Sequence, residues 1–433
     1  MTYTIREYDA FTRNNEVAEN RYTSLPEKLF DKLELFTLRN RGQNTSEPME
    51  IFSISVRKGV GKIISAKNYV GLITMSDGTT IEILPKIYTG ETADIERTKR
   101  TFLEILKVSK AIPYKNFEMA SVETGKMNLF EIFIHMFVTE IQKLTKQGLK
   151  SDYLTYSNNE NFYKGKLDFN EQLKKNSVHK QRFFVCYDVF QQNRVENRII
   201  KAALLKLKGI TTSGKNKRDI HKLLAYFEEI EPSIYYQSDF EQCKIDRGMV
   251  AYEASLKWSK IFLMNKSFTT FKGEDIAYAL LFPMEKLFED YIGTLLRRAM
   301  SQSQYNVSLQ ETKYYLFEKP KKHFSIRPDI IVRKNDNGQV IVLDTKWKVL
   351  YEDRNNYGIS QGDMYQMYVY QKKYHAQKII LLYPLTGNID RSKEIKYESN
   401  DGVQVEVYFI DLEQGKKCVQ PMINELEKSM ESL

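Results

Sequence analysis

The residues of this sequence best suited to chemistry are Asp329, in Arg327-Pro328-Asp329, and the pair enclosed in Asp344-Thr345-Lys346. Two carboxylates and a lysine are the side chains that metal-assisted phosphodiester hydrolysis requires. That reaction needs a cation to neutralise the phosphate and to lower the pKa of a water molecule. Magnesium takes one or two carboxylates and completes its shell with waters and phosphate oxygens. Asp329 and Asp344 would supply the carboxylates, with the Thr345 backbone carbonyl as a third ligand. Lys346 would orient the attacking water or stabilise the charge that develops on the phosphate.

Such short strings match by chance, and a surface ion pair on a hairpin is their ordinary meaning. The elements around them change the balance. Asp329–Arg333 and Val340–Trp347 read as two strands joined through Asn335-Asp336-Asn337-Gly338. Side chains alternate faces along a strand, so Asp344 and Lys346 share one. The run Val340-Ile341-Val342-Leu343 is apolar on both faces, as in a central strand. Unpaired burial of two charges at its end is costly; a hydrated cation offsets that cost. A helix from Pro283 to Met300 and a strand near Glu311–Phe317 precede the hairpin. A helix over Gly362–Tyr374 and a buried strand over Lys378–Tyr383 follow it. The order helix, three strands, helix, strand predicts an α/β layer with a mixed sheet. Gln366 and Tyr370 share a face of the later helix, with Asp363 one turn earlier. Glu285 and Glu289 share a face of the earlier helix, where one of them could add a metal ligand or hold a water.

The chain has 433 residues, enough for two or three domains. At 42% hydrophobic and 28% charged residues it reads as globular. A net charge of +9 permits contact with a polyanion without diagnosing it. Cys186, Cys243 and Cys418 lack CxxC spacing, so neither a zinc site nor a disulfide framework is expected. No secretory signal or membrane span is expected, and the expected location is cytoplasmic. Residues 1–118 read as a β-rich domain, with a hairpin over Tyr69–Pro85 turning at Ser76-Asp77-Gly78. Residues 119–265 read as mainly helical, with helices near Leu129–Lys146, Glu196–Lys208 and Lys217–Glu229, and residues 266–433 carry the site. Gly59-Val60-Gly61-Lys62 is not a phosphate loop: Val56 and Ile63 occupy positions that need glycine and Ser or Thr. That segment reads as a hairpin turn.

With its later Gln366-Met367-Tyr368-Val369-Tyr370, the pattern resembles the PD-(D/E)XK nuclease superfamily, in the branch similar to the RecB nuclease domain. The resemblance implies that Asp329 and Asp344 bind Mg2+ (with Mn2+ as a substitute) and that Lys346 is catalytic. It also implies that Gln366 and Tyr370 flank the site and that Glu289 is the acidic residue of the first helix. Further segments resemble the McrC family: Gly71-Leu72-Ile73, Ile81 to Lys86, Gln147-Gly148-Leu149 with Tyr153, Lys164 to Asp168, Cys186-Tyr187-Asp188 and Glu196-Asn197-Arg198. Lys164 stands where that family commonly has arginine. This resemblance implies the DNA endonuclease subunit of a McrBC- or LlaJI-type restriction system. Its expected partners are double-stranded DNA and a McrB-like AAA+ GTPase ring, which binds GTP in place of this chain and is contacted by the N-terminal domain. The competing readings are a standalone RecB-like repair nuclease and a non-catalytic activator of the GTPase.

Overall fold

The computed structural model describes residues 1–15, 21–39, 50–75, 77–87, 95–113, 127–243, 247–264 and 276–431. Its contacts gather into two compact units, Met1–Leu129 with Phe271–Leu433, and Phe130–Thr270.

The N-terminal part of the first unit is strand-rich, as its composition predicts. It runs β1 (Thr2–Arg6), β2 (Ala10–Thr12), β3 (Tyr22–Ser24), α1 (Glu27–Arg39), β4 (Phe52–Arg57), β5 (Gly61–Ala66), β6 (Tyr69–Met75), β7 (Thr80–Leu84) and α2 (Ile95–Val108). The hairpin expected around Asp77-Gly78 is β6–β7, paired antiparallel; Ser76 lies outside the described residues. Arg57 pairs with Gly61, so Gly59-Val60-Gly61 is a hairpin turn, with both glycines at positive φ. Phe30 and Leu33 of α1 pack with Phe11, Ile64, Ile73 and Ile83 from two sheets in one core. Each such side chain contributes about 1.5–3 kcal/mol when fully buried.

The second unit holds α3 (Leu129–Gln147, which begins in the first), β8 (Asp152–Glu160), β9 (Lys166–Leu167), α4 (Phe169–Asn176), β10 (Phe183–Gln191), α5 (Val195–Ile210), α6 (Gly214–Ala225), α7 (Tyr236–Gln242) and α8 (Glu253–Met264). The expectation of a mainly helical middle region missed an antiparallel sheet, β8-β10-β9. Its strands expose residues on both faces, so they lack the apolar alternation that marks a strand in sequence. Asn197, fully buried, donates to the Lys150 and Gln192 carbonyls at 3.0 and 2.8 Å and accepts from the Tyr252 hydroxyl at 2.9 Å.

The rest of the first unit is β11 (Ile276–Pro283), α9 (Met284–Ala299), β12 (Tyr305–Leu309), β13 (Tyr314–Phe317), β14 (His323–Ile326), β15 (Ile330–Lys334), β16 (Val340–Thr345), α10 (Gln361–Tyr374), β17 (Lys378–Pro384), β18 (Ile395–Glu398), β19 (Gln404–Ile410) and α11 (Gln420–Glu431). β11 pairs with β6, so the segment leading into α9 is a strand of the N-terminal sheet β1-β7-β6-β11. The expected mixed sheet is present as β12-β15-β16-β17-β19-β18, with β16–β17 and β17–β19 parallel. One strand differs from expectation. The strand beside β15 is Tyr305–Leu309, whereas the residues expected there, near Glu311–Phe317, supply β13, which pairs only with β14. Local composition marked a strand, but the choice of sheet is a non-local contact. α10 covers one face of the large sheet through Met367, Tyr370 and Tyr374, against Ile331, Val342, Ile379 and Leu381. The alternate residues Ile330, Ile341 and Leu343 are buried too, as central strands require.

Candidate active site

β16 is buried from Ile341 to Asp344, and its apolar run ends at the carboxylate. Asp344 is 1% exposed, and Lys346 Nζ lies 2.5 Å from its Oδ2, so the two share a face as their spacing requires. That Oδ2 atom is buried and accepts no hydrogen bond of good geometry. Asp329 stands immediately before β15 and turns its Oδ2 to Thr345, accepting from the backbone N–H and the hydroxyl at 2.7 Å each. In an extended strand a residue's N–H and C=O point to the same lateral side. The Thr345 carbonyl therefore also faces Asp329.

Burial, and next the negative charge of Asp329, push the Asp344 carboxyl up to about 7, against the pull of the Lys346 ammonium. Burial acts to lower the Lys346 pKa, but Asp344, Asp363 and Asp329 outweigh it and the net shift is upward. The ammonium is thus held charged among three carboxylates.

A hydrogen-bonded chain fixes that ammonium. Lys346 Nζ donates to Gln366 Oε1 at 3.1 Å, Gln366 Nε2 to the Tyr370 hydroxyl at 2.6 Å, and that hydroxyl to the Arg327 carbonyl at 3.0 Å. Gln366 and Tyr370 therefore tie the lysine to the backbone two residues before Asp329. Asp363 lies 3.9 Å from Lys346 and 2.8 Å from Lys348. Glu289 reaches the cluster indirectly: Gln310 donates to it and accepts from Arg327, while the Gln310 N–H donates to the Asp329 carbonyl at 2.9 Å. Burial, and then Asp329, raise the Glu289 pKa. Glu285 is exposed and joins none of these bonds.

Gln310 and the Thr345 hydroxyl were not singled out from the sequence. Gln310 belongs to no spacing pattern and Thr345 is read only for its carbonyl; the pairing of β12, β15 and β16 brings Gln310 and the Thr345 hydroxyl to Asp329. Glu7 is a third such residue. It is fully buried and accepts from Trp347 Nε1 at 2.9 Å and from the Lys86 N–H at 3.1 Å. Trp347 packs its ring 5.2 Å from that of Phe288.

Burial raises the Glu7 carboxyl from 4.5 to about 8, and its hydrogen bonds from Trp347 and Lys86 only partly oppose this. Between those values the folded chain holds a proton that the unfolded chain has lost. The contribution of Glu7 to stability is therefore most favourable below pH 4.5 and is lost as pH rises toward about 8. Glu7→Gln keeps an acceptor for Trp347 and removes the ionisation. The variant is expected to retain stability as pH rises from 4.5 to about 8, a window over which the parent loses about 3–5 kcal/mol. Urea denaturation across that range measures this, and parallel pH profiles for the two proteins would refute it.

Among the described residues no three His, Cys, Asp or Glu side chains converge as a metal shell. The Asp329–Asp344 pair fits a cation that needs few protein ligands. The buried Oδ2 of Asp344, which meets Lys346 without good hydrogen-bond geometry, and the mutual repulsion of the two carboxylates both favour positive charge there. Magnesium matches that donor set.

The chain is a mixed α/β protein that gathers an Asp–Asp–Lys cluster at the ends of two neighbouring strands. The model of the family described as McrBC 5-methylcytosine restriction system component matches residues 64–384. The chain belongs to that family. Its fold is similar to that of a chain in a refined half-complex of Thermococcus gammatolerans McrB AAA+ hexamers with bound McrC: TM-score 0.74, 22% identity, 98% of this chain and 100% of that one. A chain of the T. gammatolerans McrBC complex matches with a TM-score of 0.52 and 20% identity over 69% of this chain and 88% of that one. No curated protein matches. Among the described residues, no helix is long and apolar enough to cross a membrane.

Proposed function

We propose that this chain is the McrC-like nuclease subunit of a GTP-dependent restriction system, with a PD-(D/E)XK active site that hydrolyses DNA phosphodiester bonds. The observation that carries the reading is the convergence of Asp329, Asp344 and Lys346, with the Gln366–Tyr370 chain holding the lysine. Asp329, Asp344 and the Thr345 carbonyl would hold Mg2+, with Mn2+ as a substitute; the cation would activate a water and neutralise the phosphate. Lys346 would orient that water and stabilise charge on the phosphate. Gln366 and Tyr370 position Lys346, and Glu289 sets the pose of Gln310 and Arg327.

The partner in this reading is a McrB-like AAA+ GTPase ring, which binds GTP and delivers double-stranded DNA. The system would work in the cytoplasm. The test mixes the purified chain with its ring partner, GTP, Mg2+ and plasmid DNA. Strand breaks that need all four components, and that stop on chelation, are expected. Robust cutting without the ring would instead identify a standalone repair nuclease. GTPase stimulation without a break under any divalent metal would leave only an activator.

Tyr370→Phe removes the hydroxyl that joins Gln366 to the Arg327 carbonyl. It is expected to slow cleavage by about ten-fold, the equivalent of one lost buried hydrogen bond. Single-turnover cleavage measures this, and an unchanged rate would remove Tyr370 from the positioning chain.

A further inference from the structure

We propose that the β13–β14 hairpin is a duplex-DNA contact that grips the strand flanking the scissile bond; this deepens the nuclease reading and rests on it. The hairpin leaves the large sheet at the site itself. The β12–β15 ladder ends where the Gln310 N–H bonds the Asp329 carbonyl, and the chain between these residues forms the excursion. β14 ends at Ile326, three residues before Asp329, a separation of at most about 11 Å. A ring contact and a hydrogen bond fasten its base to α10: Tyr314 packs edge-on to Tyr374 at 4.7 Å, and the Tyr374 hydroxyl donates to the Glu311 carbonyl at 3.2 Å.

The tip is built against its own stability. Phe317 and Phe324 are 57% and 72% exposed, with ring centroids 6.1 Å apart. Phe324 also has φ 57°, the left-handed conformation that a bulky side chain rarely adopts. An exposed aromatic held in a strained backbone gains little from the fold beyond its edge contact with Phe317, and such strain gathers where a ligand is met. The charge identifies the ligand. From Lys313 to Arg327 the chain carries five basic residues and one acidic one, Glu318. Lys319, Lys321 and Lys322 are exposed, and among the described residues they form no ion pair. Lysines beside open aromatic faces suit a phosphate backbone with sugars and bases behind it.

The test measures binding of a fluorescein-labelled duplex by anisotropy across a salt series, with every protein in an Asp344→Ala background so that no strand is cut. Lys319→Ala/Lys321→Ala/Lys322→Ala is expected to weaken binding by about ten-fold or more and to flatten the slope of log K against log salt by about 2.7. Phe324→Asn is expected to weaken binding about five-fold with the slope unchanged. Asparagine tolerates the left-handed conformation, so the thermal midpoint of this variant should hold or rise. A falling midpoint with undiminished binding would make Phe324 structural and overturn its role. A background protein that binds, with a triple variant equal to it in affinity and slope, overturns the hairpin assignment alone. A background protein that binds no duplex even at low salt also overturns the hairpin assignment, whereas the nuclease reading fails only if the parent chain, with the ring, GTP and Mg2+, breaks no DNA.

Discussion

Asp344→Ala is expected to abolish DNA cleavage by the assembled system, slowing it by about a thousand-fold or more. The substitution removes a carboxylate proposed to hold the metal and the ion partner 2.5 Å from Lys346. The loss should not come from unfolding. Burial raises the Asp344 carboxyl to about 7, so its ionisation opposes folding as pH rises through that value. Asp344→Asn, which keeps the shape and a polar partner for Lys346, should therefore lose cleavage while matching or exceeding the parent in thermal stability above neutral pH. Combining Asp344→Ala with Lys346→Ala should add little to either single change, because the groups act as a unit. Binding to the GTPase ring should survive. Cleavage by Asp344→Ala at the parental rate would sink the site assignment.

The second large effect concerns folding. Gly71 lies in β6 opposite Leu281 of β11, with φ 135°. A Cβ at this position would stand 1.9 Å from the Leu280 carbonyl oxygen, a backbone atom that cannot move aside. Gly71→Ala is therefore expected to separate β6 from β11. β11 leads directly into α9, so the damage would reach the candidate active site through the backbone. A loss of more than about 4 kcal/mol, or failure to accumulate as folded protein, is expected. Ala279→Gly on the same strand pair is the mild control. A denaturation midpoint for Gly71→Ala equal to that of the parent would show that the strands approach less closely than described.

Gly71 also shows how far the sequence could be read. Gly71-Leu72-Ile73 was recognisable as a family segment, but the reason for its glycine was not. The reason is a strand contributed from some two hundred residues later in the chain. Gly165, in the segment Lys164 to Asp168, is similar: a Cβ there would meet the Cys186 carbonyl oxygen at 2.4 Å. Asn197 likewise marks a family segment, and its buried bonds to Lys150, Gln192 and Tyr252 give the segment a structural purpose.

At the candidate site, the sequence alone determined what depends on local periodicity. The two-residue period of a strand put Asp344 and Lys346 on one face, and the helical period put Gln366 and Tyr370 on another. Turn residues located the β6–β7 and β15–β16 hairpins. Tertiary structure alone decided which strands outside those hairpins became neighbours. It placed Tyr305–Leu309 beside β15 and sent Tyr314–Phe317 into a separate hairpin. It brought the Thr345 hydroxyl and Gln310 to Asp329, and it buried Glu7 against Trp347, the residue after Lys346. Local propensity is set by a few adjacent residues and is written wherever they stand. Strand neighbours and buried polar partners are chosen by the collapse of the whole chain, in which apolar faces are covered and buried polar atoms must find partners at any sequence distance. For Asp329 and the Asp344-Thr345-Lys346 triplet, the sequence supplied the candidate groups, and the fold supplied the bonds that hold them together.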